Sequence, residues 1–162
     1  SSYLKEQRKA TRATEVELFD HTIDAINCFD RAVLPELKQV MAKFDDALAK
    51  ETQGINRNKV RKYVVITSIK QANFTSLFRR LNVLSGYVHY GMVNQRQLYA
   101  SIWDDTTQLM LHQYFQEILS AHEDTLLMNN YVDLLTKLKQ YGDETQMRRN
   151  QNEKVYQGRF KL

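Results

Sequence analysis

Apolar positions recur at alternating steps of three and four along most of the chain, the spacing that keeps side chains on one face of an α-helix. The longest run covers residues 58–91, where Tyr63, Ile66, Lys70, Phe74, Leu77, Leu81, Leu84 and Val88 form one stripe. An uninterrupted helix there would be about 50 Å long, enough to serve as the spine of a small domain. Upstream, Val16, Phe19, Ile23 and Ile26 repeat in the same way, and the register resumes at Val33, Leu37, Val40, Phe44 and Leu48. Pro35 falls between the two runs. Proline removes a backbone donor and is tolerated in a first helical turn, so the pattern predicts a break or kink near Leu34 and a new helix over 35–50.

The segment 52–56 is polar, with Gly54 suited to a helix end and Asn56 or Asn58 to the next cap. Gly91 marks the end of the spine and Asn94 the cap of a helix over 94–121. That helix carries two apolar rows, Leu98, Ile102, Leu109 and Tyr99, Trp103, Met110, Tyr114, Ile118. A polar interruption at 122–125, with Asp124 or Thr125 as cap, precedes a last helix through Leu127, Tyr131, Leu134, Leu135, Leu138 and Tyr141, closed by Gly142. The expected architecture is all-α: an elongated antiparallel bundle of four to six helices around a long central helix. Residues 1–12 form a basic connector, 13–142 the helical bundle domain, and 143–162 a basic C-terminal tail that a neighbouring chain would order.

Composition agrees with an all-helical class. The chain has 162 residues, one Pro and five Gly, too few turn formers for a strand-rich fold. Its single cysteine, Cys28, cannot form an internal disulfide and sits beside Ile26 and Phe29, which suits an inert thiol in a reducing compartment. No apolar run reaches the ~18 residues of a membrane span.

Charge is distributed in blocks. Residues 1–12 carry +3, 13–51 carry −5, and 52–103 hold eight bases and no acid; 104–142 carry −4 and 143–162 carry +2. Acidic helices are therefore expected beside the basic central one, an arrangement that selects pairing more than it stabilises. Arg61 and Lys62 precede Arg79 and Arg80 by eighteen residues, five helical turns, so in one helix the two pairs share a face. With Arg57 and Lys59 they form a basic stripe, the candidate site for an anionic membrane surface or, less favoured, a nucleic acid. Lys70 lies on the apolar stripe and is the candidate buried charge, with Asp20, Asp24, Asp30 or Asp105 as partner.

Recognisable catalytic signatures are missing from the sequence. Glu17, His21 and Asp24 share a helical face but lack the Glu-x-x-His partner helices of carboxylate metal sites, and His89, His112 and His122 have no ligand-spaced neighbours. There is no glycine-rich phosphate loop, nucleophile elbow or Cys-x-x-Cys. No catalytic, cofactor or metal residue is therefore expected.

The stretch FRRLNVLSGYVHYGMVNQRQL at 78–98 resembles the bacterial family catalogued as domain of unknown function 4760. In that family a Leu-Asn pair, an apolar turn to a glycine and a following aromatic helix recur, matched here by Leu81, Asn82 and Gly91. The resemblance implies a helical cytoplasmic domain following one or more membrane spans, and it implies no catalytic residues. The basic start at Lys5, Arg8, Lys9 and Arg12 fits such a position, since cytoplasmic flanks of spans are rich in Lys and Arg. The leading expectation is a non-catalytic interaction or regulatory domain that self-associates or binds a protein partner, using apolar residues of the first and last segments, among them Tyr156, Phe160 and Leu162. The alternative is an anion-binding module.

Overall fold

A computed structural model describes residues 2–53, 60–122 and 130–159. The chain is all-α. Its elements are α1 (Ser2–Cys28), a π-helical turn (Phe29–Val33), α2 (Leu34–Glu51), α3 (Lys62–Ala72), α4 (Thr75–His89), α5 (Gln95–Met110), α6 (Phe115–Ser120) and α7 (Asn130–Arg159). Gly54, Asn56, Asn58, Asp124, Thr125 and Leu127, assigned above to loops, caps and a helix start, lie outside the described residues.

The passage from α1 to α2 is where the sequence pattern and the fold part company. Pro35 cannot donate to the backbone ladder, and its ring would collide with the carbonyl four residues earlier. The helix responds by widening rather than breaking: the Leu34 N–H bonds to the Phe29 carbonyl, five residues back. Arg80 of α4 donates through Nη1 to the Ala32 carbonyl at 2.9 Å, so the irregular turn has an outside partner. One extra residue turns the face of α1 by about 100° relative to α2. In α2 the expected row is buried, with Leu37, Val40 and Phe44 in the core. From α1 the core takes Thr22 and Ala25, and from the π-turn Phe29, while Val16, Phe19 and Ile23 are left 53%, 53% and 37% exposed.

The central spine is two helices, not one. Asn73 adopts a left-handed conformation (φ 61°), its N–H caps the Ile69 carbonyl, and its Oδ1 accepts from the Thr75 N–H at 3.3 Å. Asparagine tolerates this region better than other side-chain-bearing residues, which allows a break inside an otherwise periodic run. The break rotates α3 so that Val64, Val65, Ser68, Ile69 and Ala72 face inward. Tyr63, with 64% of its surface exposed, and Lys70 face outward. Lys70 is therefore not a buried charge. Beyond the break the expected stripe holds: Phe74, Leu77, Leu81, Leu84 and Val88 are all buried.

The predicted helix over 94–121 also divides, at residues 111–114, into α5 and α6. His112 occupies this turn and accepts the Tyr114 N–H on Nδ1 at 3.1 Å. Conversely, Gly142 does not end the last helix. It lies within α7, pressed against Trp103 of α5, and a Cβ there would fall inside the van der Waals envelope of ring carbons Cη2, Cζ2 and Cζ3. The glycine is there for close approach, not for a turn. Helix α7 continues through residue 159, with every described side chain from 146 to 155 exposed.

The core is strongly aromatic. Phe44 of α2 meets Phe74 edge-on at 5.8 Å, Phe74 stacks with Phe78 at 5.9 Å, and Phe78 stacks with Tyr131 of α7 at 4.4 Å. The buried His122 closes edge-on against Phe74 and Phe78. This column ties α2, α4 and α7 together; α3 packs mainly on α2 and α4 mainly on α7.

Candidate interaction surface

Helix α1 has two faces with separate tasks. Its inner face is fixed by Ala25, Phe29 and the buried Thr22, whose hydroxyl donates to the Leu18 carbonyl at 2.6 Å and accepts the Asn94 N–H at 2.9 Å. Asn94 caps α5 as expected, its Oδ1 accepting from the Gln97 N–H. The outer face carries Lys5, Lys9, Arg12, Val16, Phe19 and Ile23, spaced by alternating fours and threes, with Arg8 alongside. Such spacing places them on one seam of the helix. All are exposed. The result is a solvent-facing stripe that begins basic and ends apolar.

The other sequence candidates are dispersed. Arg57 and Lys59 lie outside the described residues. Arg61 and Lys62 stand at the start of α3, and Arg79 and Arg80 on α4 beyond the Asn73 break, so the shared-face argument, which needs a continuous helix, does not apply. Arg80 is directed to the π-turn. Lys62 and Lys70 instead line a groove of about 400 Å³ between α3 and α6, with Ile66, Gln116 and Glu117. Among the described residues, no ion pair joins the basic segment to an acidic helix; Lys137 pairs with Asp133 within α7.

The family-like residues have structural duties. The Asn82 side chain accepts the Tyr131 N–H at 2.9 Å, which ties α4 to the described start of α7. Gly91 (φ 66°) closes α4 in a Schellman arrangement: the Met92 N–H bonds the Tyr87 carbonyl and the Gly91 N–H bonds the Val88 carbonyl. Leu81 is a core residue.

One polar pair escaped the sequence reading. His112 Nε2 lies 3.1 Å from Asp45 Oδ1, at the edge of a cleft of about 380 Å³ between α2 and the α5–α6 turn. Because Nδ1 accepts from Tyr114, the proton of the neutral ring sits on Nε2 and is donated to Asp45. Both nitrogens are thus committed to structure. The partners are 67 residues apart, and no local spacing signals the pair. Glu17, His21 and Asp24 do not gather with others: no cluster of three or more metal-ligating side chains occurs among the described residues. Burial pushes the Cys28 thiol above its ordinary value, away from a reactive thiolate.

The chain matches no family model, no curated protein and no solved structure.

Proposed function

We propose that this chain is a non-catalytic helical interaction and regulatory domain that self-associates through the outer face of α1. The observation that carries the reading is the exposed row Val16, Phe19 and Ile23, apolar at helical spacing, on a helix whose described side chains from 2 to 17 are all exposed. A contiguous apolar row left in solvent marks an interaction surface more often than an accident of composition. The long exposed end of α7, with Met147 and Val155 65% and 59% exposed, supplies a second such region. Of the proposed tail contacts, Phe160, Leu162 and the side chain of Tyr156 lie outside the described residues.

The family resemblance supports a bacterial protein anchored to a membrane, with this domain on the cytoplasmic side. Among the described residues, no helix is long and apolar enough to cross a membrane. Anion binding along α3 and α4 is the weaker alternative, because the break at Asn73 removes the single basic face on which it rested.

Light scattering coupled to size exclusion, run over a range of concentrations and salt, tests the proposal. A discrete oligomer that Phe19→Asp converts to monomer is the expected result. A monomer at every concentration would refute it.

A further inference from the structure

The outer face of α1 also carries information about what covers it. In its first three turns Lys5, Arg8, Lys9 and Arg12 stand against one acid, Glu6; from residue 15 to residue 30 the chain holds Glu15, Glu17, Asp20, Asp24 and Asp30 and no Lys or Arg, the next base of that kind being Arg31. Every one of these side chains is exposed. The apolar seam residues Val16, Phe19 and Ile23 lie between the basic end and the acid-bearing end.

A helix charged in this way is complementary to itself only when reversed. We infer that α1 pairs antiparallel with α1 of a second copy, its basic turns laid along the acid-bearing turns of the other helix, with Val16, Phe19 and Ile23 in the seam. The inference rests on the self-association reading above and gives that contact its direction and register. Two-fold symmetry makes such a contact isologous and closed, so it yields a dimer and not a filament. Pairing about the midpoint between Val16 and Phe19 sets Lys5 level with Asp30 and Phe19 level with Val16 of the second copy, and lays residues 5–12 along 23–30, which hold Asp24 and Asp30. A parallel pair would set the four bases against their own copies, the arrangement that like charges oppose.

The same charge layout argues against an anionic membrane as the occupant. A lipid surface would attract Lys5, Arg8, Lys9 and Arg12, yet the apolar residues that should insert are flanked by Glu15, Glu17, Asp20 and Asp24. Basic residues flanking the apolar row are the pattern of interfacial helices.

Two charge-reversal variants and one distance test the pairing. Arg8→Glu with Arg12→Glu, and separately Asp24→Arg with Asp30→Arg, should each weaken dimerisation roughly tenfold or more, and an equimolar mixture should restore it as a heterodimer. These positions are exposed, so circular dichroism should show both variants folded. A spin label on Glu6→Cys in a Cys28→Ser background then reports direction: level positions 6 and 29 in an antiparallel pair put the two labels about 35 Å apart at ~1.5 Å per residue. A label separation below about 20 Å would overturn the antiparallel arrangement while leaving self-association intact. A dimer indifferent to both charge sets and to Phe19→Asp would remove α1 from the interface. A monomer, with or without sedimentation on anionic vesicles, would overturn this inference and the proposed function together.

Discussion

Replacing Gly142 by alanine sets two opposed effects against each other, and the structure decides the sign. In an unconstrained helix interior, Gly→Ala stabilises by about 1 kcal/mol, because glycine loses more backbone freedom on folding. Here the new methyl would occupy space already held by the six-membered ring of Trp103. Either the ring leaves its half-buried site or α7 moves away from α5, and overpacking of this kind costs typically about 1–3 kcal/mol net. For a chain of this size that lowers the melting temperature by about 2–12 °C, at roughly 2–4 °C per kcal/mol. Removing the ring should reverse the sign: in a Trp103→Ala background, Gly142→Ala should stabilise by about 1 kcal/mol. Thermal and urea unfolding of the four proteins in the cycle measures this. Trp103 is the only tryptophan, so its fluorescence also reports displacement directly. Stabilisation by Gly142→Ala in the native background, or the same sign in both backgrounds, would refute the close-approach argument.

Asn82→Ala should cost about 1–2 kcal/mol in urea unfolding, since it removes an acceptor for the Tyr131 N–H, and Asn82→Asp should recover much of the loss because a carboxylate also accepts and suits a helix N-terminus. Asn73→Val should destabilise by about 1–3 kcal/mol, whereas Asn73→Gly should change little, because the left-handed backbone penalises a β-branched residue and not glycine. The Tyr99 phenol is pushed up to about 12, by burial first and by the Asp133 carboxylate second. The unfolded phenol ionises near 10, so between pH about 10 and about 12 the unfolded state binds fewer protons and stability falls as pH rises. Tyrosinate absorbance should show one tyrosine ionising only as the chain unfolds, and a Tyr99→Phe variant should lose part of this alkaline sensitivity.

The helical class, the core residues of α2, α4, α5 and α7, the cap at Asn94 and the turn at Gly91 were determined by the sequence itself. Each depends on a local rule: periodicity of 3.6, a side chain that reaches a nearby N–H, or a glycine that accepts positive φ. What failed was the assumption that phase carries across a break. Asn73 interrupts the central run without Gly or Pro, and its consequence for Tyr63 and Lys70 follows only from the packing of α3 on α2 and of Phe74 into the aromatic column. Gly142 looked like a terminator because glycine has two uses, turn and close approach, and only the position of Trp103 on another helix separates them. The candidate surface has the same origin. In the sequence, Val16, Phe19 and Ile23 are continuous with the core row of α2. One residue added at the π-turn ahead of Pro35 rotates them into solvent, and a tertiary contact, Arg80 to the Ala32 carbonyl, partners the turn that does so. Local chemistry chose the elements; the angles between them, which depend on contacts far apart in the chain, chose the faces.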